Sequence, residues 1–211
     1  MIATPSPVML SNRLFRFFVD SATQEVGAEN FPSILAEDHL SPLMPAMTDK
    51  THLARLDGAE TAVLYASLQQ ALRQYYGRGA RGILLRIGEG MWSRMMAQAN
   101  LLEKAELEIV RRLPVPARRR RILELLADTL RESGGAASLH TLDMDLLLVD
   151  HSGAATLNQV SVEPICFVTL GLIQGALFWA TGQEADMEEI ACKAAGAPAC
   201  EFKIKLGVPS K

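Results

Sequence analysis

A strong charge of either sign is missing from this sequence. Its 21 Lys and Arg stand against 24 Asp and Glu, a formal net charge of −3, so no basic surplus argues for nucleic-acid binding by the chain as a whole. Long apolar runs are missing too. The most apolar stretch, Ile165 to Ala180, is interrupted by Gly171, Gln174 and Gly175. It falls short of the ~20 residues a membrane-spanning helix needs and reads as a core helix instead. Cysteine is scarce, and the three present cannot all pair. No secretory signal opens the chain. The expected compartment is a reducing cytoplasm, where clustered cysteines more often hold metal than form disulfides. A P-loop, a G-x-G-x-x-G fingerprint and a Cys-x-x-Cys pair are all absent, which removes the usual means of holding a nucleotide or running dithiol chemistry.

What is present is ordinary globular composition, 49% apolar and 21% charged over 211 residues, enough for one well-buried domain with a modest N-terminal appendage. Met1 to Leu10 has no periodicity and reads as a loose tail. Ser11 caps a helix starting at Asn12, which Gly27 stops. Pro32, Pro42 and Pro45 limit residues 28–56 to turns or single helical turns. Asp57 caps the next helix, with Ala62, Val63, Tyr65, Ala66, Leu68, Leu72 and Tyr75 on its inner face and Gly77 and Gly79 at its end. One long helix follows from about Ala80 to Arg112, with Leu84, Ile87, Met91, Met95, Leu102 and Ile109 inward. Gly82, Gly88 and Gly90 break it locally and hint at a close packing partner or ligand. Another helix runs from about Ala117 to Glu132, and its Arg118–Arg121 run is read as a solvated face or a site for an anionic partner.

Beyond Gly135 the pattern turns to strands: Ala137 to Leu142, Leu146 to Asp150, and a third over Ala155 to Val162. The core helix from Pro164 to Ala180 and a closing hairpin from Ala185 to Leu206 complete the chain. Helices followed by strands with one embedded helix give an α+β fold with a mainly antiparallel sheet. The expected division is a tail, helix and irregular segment over 1–56 and the main domain over 57–211.

The hairpin is where the chemistry concentrates. Cys192 and Cys200 lie four residues either side of Gly196, so a simple hairpin makes them cross-strand neighbours. Cys200, Phe202, Ile204 and Leu206 alternate onto one face, which turns the thiols toward the core. Glu189 joins Cys192 on that face only if a residue is bulged near Ile190 or Ala191, and such a bulge is predicted. The same bulge turns Met187 inward. From spacing alone three readings stand: buried structural thiols, a metal site, or a redox or nucleophilic cysteine. The last lacks a histidine partner at any recognisable spacing, since His39, His52, His140 and His151 read as surface or capping residues.

Cys166, Glu189-x-x-Cys192, Gly196 and Cys200-Glu201-Phe202-x-Ile204 together resemble the 4-vinyl-reductase-like domain family, over roughly residues 75 to 207. That family includes sensor domains of phenol-responsive activators and a vinyl-reductase-like protein of bacteriochlorophyll biosynthesis, and its fold is similar to that of vesicle-tethering subunits. The resemblance implies a Zn²⁺ held by Cys166, Glu189, Cys192 and Cys200. Four anionic ligands leave no open position for water, so the site is structural, with nearby N–H groups or Lys193 offsetting its negative charge. It also implies a small apolar or aromatic ligand beside the metal, with Met91, Trp92, Met95, Met96, Met144, Phe167, Phe178 and Trp179 as the lining. The expected function is a stand-alone ligand-binding domain with a sensory or carrier role, homodimeric, with no catalytic residues. The alternative is an enzyme or accessory protein acting on a vinyl tetrapyrrole.

Overall fold

The computed structural model describes residues 7–36, 40 and 50–206. Residues 1–6 of the expected tail, together with His39, Pro42 and Pro45, lie outside the described residues. Residues 7–10 are not loose. The Leu10 N–H donates to Gly58 O at 2.9 Å, and its side chain is buried in the core.

Helix α1 (Asn12–Val26) starts where expected: the Ser11 hydroxyl accepts from the Leu14 N–H, and Gly27, at φ +89°, ends it. Single helical turns, α2 (Phe31–Ile34) and α3 (Lys50–Leu53), follow. Helix α4 (Gly58–Tyr76) begins with a capping box between Asp57 and Glu60. Two of its expected inner residues, Val63 and Tyr75, are exposed, and Tyr75 stacks on Tyr76 instead.

The long helix expected over 80–112 is two helices. α5 (Ala80–Ala97) and α6 (Leu101–Arg112) are separated where Asn100 and Glu103 form a second capping box. Capping satisfies orphan backbone groups that a continuous helix would have bonded internally, and it fixes the restart. The glycines do not break α5. A Cβ at Gly88 would lie 2.1 Å from Val168 O, because a helix of the core presses directly on it. The restart also turns Leu102 and Ile109 outward, to 83% and 62% exposure.

Helix α7 (Val115–Glu132) uses its basic run internally. Arg118 donates to the carbonyls of Leu113 and Ala180, Arg119 to Gln183, Arg120 to Glu124 and Thr141, and Arg121 to Glu106 and Glu124.

Strands β1 (Ala137–Leu142) and β2 (Asp145–Asp150) form a hairpin whose two-residue turn places Asp143 at φ 54°. The third expected strand, Ala155 to Val162, does not form. The Asp150 carboxylate accepts from the Ser152 and Gly153 N–H groups, a single 3₁₀ turn covers Ala154–Thr156, and Asn158 takes φ 58°. Left-handed residues interrupt an extended chain. The core helix, α8 (Phe167–Thr181), starts three residues after Pro164 rather than at it.

β3 (Met187–Ala191) and β4 (Cys200–Ile204) complete the molecule. Among the described residues, four strands form one antiparallel sheet in the order β1-β2-β4-β3, and the fold is α+β. Leu146, Leu148, Phe202 and Ile204 on one sheet face join α8 and the other helices in a single core. No helix among the described residues is long and apolar enough to cross a membrane.

Candidate metal centre and helical cavity

Three places in the fold converge on one point. Cys166 caps the N-terminus of α8, Cys192 follows β3, and Cys200 opens β4. The register Glu189↔Phe202 shifts to Ala191↔Glu201, so Ile190 is the extra, outward residue of a bulge. This is the irregularity the sequence required, and it turns Glu189 to the side of Cys192. Gly196, at φ +91°, closes the turn between the cysteines, while Ala195 and Ala197 donate to Cys192 O.

The Cys166 Sγ lies 3.5 Å from Cys200 Sγ and 3.9 Å from Cys192 Sγ. Ligand atoms of Cys166, Glu189, Cys192 and Cys200 all fall within 4.8 Å of one another. Two thiolates on one tetrahedral zinc, each at ~2.3 Å, stand about 3.8 Å apart, which matches these separations. Glu189 Oε2 accepts from the Cys166 N–H at 2.8 Å, and Lys193 N–H points at Cys200 Sγ from 3.5 Å. Glu189 Oε1 is buried with no hydrogen-bond partner. An orphaned carboxylate oxygen facing three buried sulfurs is what a cation would satisfy. The cluster can hold a metal ion.

Left to itself, the cluster carries little charge. Burial pushes the Glu189 carboxyl up to about 8. Contacts with Cys192 and Cys200, with burial, hold the Cys166 thiol well above its usual range. Cys200 is pushed up to about 12, its contact with Cys166 outweighed by Cys192 and burial. Hydrogen bonds from Cys166 and Cys200 draw Cys192 far below the usual thiol range, so the negative charge settles there.

The Lys193 side chain is not the counter-charge. Its Nζ donates to His151 O at 2.8 Å and Ser152 O at 3.1 Å. The residue that sequence reasoning missed is Arg73, near the end of α4. It donates from Nη2 to Gln159 Oε1 at 2.9 Å, while its Nη1 is buried without a partner. Nothing in the spacing of α4 distinguishes Arg73 from the other arginines.

The eight expected lining residues do not gather at the metal. Trp92, Met95 and Met96, on the last turns of α5, line a cavity of ≈ 410 Å³ between α1, α5, α6 and α7. Leu14, Phe17, Leu107 and Leu125 continue its apolar wall, and Glu103, Glu106, Asp128 and Glu132 stand on it with Arg13. Met91 instead faces a small void of ≈ 20 Å³ with Tyr65, Thr169 and Leu172. Trp179 packs edge-on to Trp92, centroids 5.9 Å apart, under Arg111. Phe167 lies under Arg81. Met144 sits at the β1–β2 turn, 76% exposed, and Phe178 is 54% exposed on α8. His140 and His151 are exposed and flank the Ser138 hydroxyl.

The segment that supplies all four cluster residues is also the one that known families recognise. Residues 154–206 match the 4-vinyl-reductase domain. The likeness to the 4-vinyl-reductase-like family therefore stands on the segment with Cys166, Glu189, Cys192 and Cys200; the stretch from 75 to 153 lies outside the match. An H-NOX protein from S. oneidensis in the Fe(II)NO ligation state is similar in structure, with a TM-score of 0.58 at 16% identity over 94% of this chain and 100% of that one. An unliganded Fe(II) H-NOX protein from K. algicida scores 0.53 at 14% identity, over 93% and 96% of the two chains. At these identities the likeness shows a shared fold. The phenol-responsive sensory domain of the transcription activator PoxR, with phenol, scores 0.49 at 17% identity over 68% and 73%. Among curated proteins no match was found.

Proposed function

We propose that the chain is a zinc-stabilised domain that binds a small apolar or aromatic molecule and acts as a sensor or carrier rather than as an enzyme. The observation that carries the reading is the ≈ 410 Å³ cavity walled by Trp92, Met95, Met96, Phe17 and Leu107. That is the size and character of a small-molecule site, and methionine walls adapt to flat ligands. Residues 57–211 form the zinc- and ligand-binding domain, with α1 from the preceding segment supplying one wall. Cys166, Glu189, Cys192 and Cys200 hold the Zn²⁺, which clasps α8 to the β3–β4 hairpin. Three thiolates and a carboxylate complete its shell, so its role is structural. The chain works as a homodimer in a reducing cytoplasm, and the exposed Leu101, Leu102 and Ile109 of α6 offer an apolar stripe for a second copy.

Native mass spectrometry of protein purified without chelator tests this in one spectrum. The expected species is a dimer with one zinc per chain and a retained small molecule. Met96→Trp, which fills the cavity, loses the molecule and keeps the zinc. A stably folded chain free of metal sinks the zinc reading. A retained molecule that survives Met96→Trp sinks the cavity reading, and a retained tetrapyrrole moves the function to the vinyl-tetrapyrrole alternative.

A further inference from the structure

We infer that Arg73 is the buried counter-cation of the Cys166–Glu189–Cys192–Cys200 cluster, placed to raise its affinity for a divalent metal. The inference rests on the zinc reading and adds a residue outside the family-matched segment. Three thiolates and a carboxylate around a divalent ion leave a complex with a surplus of two negative charges, and in a buried site that surplus opposes loading.

The geometry brings one guanidinium to the problem. Arg73 Nη1 is buried and has no hydrogen-bond partner, an arrangement that costs stability unless an anion faces it. Its other terminal nitrogen is fixed by Gln159, which in turn donates to Gln70 on α4 at 3.1 Å. Gln159 belongs to the loop that leads into Cys166, and the Ser161 N–H of that loop donates to Ala194 O at 2.9 Å in the turn between Cys192 and Cys200. Arg73 is therefore anchored to the segment that carries the ligands, with one face left unsatisfied. Burial pulls its guanidinium down, and the charges that oppose this are those of Cys166 and Cys192. Lys193, the cation nearest in sequence, is committed to two carbonyls elsewhere.

Arg73 acts through the ligands and not as one of them, so it is a positioning residue. Zinc affinity of the full chain, measured by competition with a chromophoric chelator, is compared for wild type, Arg73→Met, Arg73→Lys and Gln159→Ala. Arg73→Met is expected to lose about tenfold or more in affinity, the usual scale for such outer contacts. Arg73→Lys, which keeps the charge, stays within about threefold, and Gln159→Ala, which only loosens the anchor, falls between. With Co²⁺ in place of zinc, Arg73→Met keeps the tetrahedral thiolate absorption bands of the wild type, showing that the ligands are intact. Wild-type affinity in Arg73→Met, or an equal loss in Arg73→Lys, overturns the assignment. So does an altered Co²⁺ spectrum, which marks a packing role. If the wild type itself takes up no zinc, the metal reading fails first and this one with it.

Discussion

Single residues in this protein differ in how far they could be read ahead of the fold. Cys192 and Cys200 were legible because a turn on Gly196 fixes their partnership locally, and Glu189 because the alternation of a strand demanded a bulge. Arg73 was not legible, since its meaning comes from a loop far along the chain, as the Arg73–Gln159 separation of 86 shows. Met144 and Phe178 show the reverse error: residue type suited a cavity wall, but turn position and helix face sent both outward. Glu103 carries a prediction at this scale. It accepts from Arg13 at 2.8 Å and also completes the Asn100 cap. Its pKa is lowered first by the Arg13 hydrogen bond, against burial. A depressed carboxylate stabilises the fold above its unfolded pKa, and that contribution disappears as pH falls through the folded value. Glu103→Gln keeps the cap but loses the charge. Because the pair is solvent-screened, the expected cost is only about 0.5 kcal/mol near pH 7, vanishing by about pH 3, in denaturant titrations at the two pH values.

Elements were read best where a cap announced them. Ser11 and Asp57 gave the starts of α1 and α4, and Gly182 the end of α8. The break between α5 and α6 carried its own signal in Asn100-x-x-Glu103, but unbroken apolar periodicity across it masked the cap. The strand expected over Ala155 to Val162 had the right residue types and the wrong backbone, because Asp150 turns the chain before it can extend. The pairing of α5 with α8 depends on two glycines in backbone contact. A Cβ at Gly171 would stand 2.0 Å from Leu85 O, and one at Gly88 2.6 Å from Leu172 N. Neither neighbour is a flexible side chain. Gly171→Ala forces the helices apart, with an expected loss of about 3 kcal/mol, read as a lower denaturation midpoint at unchanged slope. If instead the loss is negligible, the close crossing is not what holds the pair.

At the scale of the whole molecule, the α+β class was legible from element order alone. The position of the cavity was not, because it depends on how α1 and α6 sit across the ends of α5 and α7, and no local pattern encodes that. Sheet order places β3 at an edge, with its unpaired backbone groups turned outward. Such an edge is a template for strands of other molecules unless something spoils it. The bulge at Ile190, described above only for aiming Glu189, does so: it twists the strand and breaks the even spacing of donors and acceptors that a passing chain would need. Deleting Ile190 is therefore expected to withdraw the carboxylate from the cluster and to flatten the edge. Both follow from one change, and static light scattering would record the second as self-association of the purified chain. A feature that shapes the site on one side of β3 also keeps its other side from recruiting neighbours into a growing sheet.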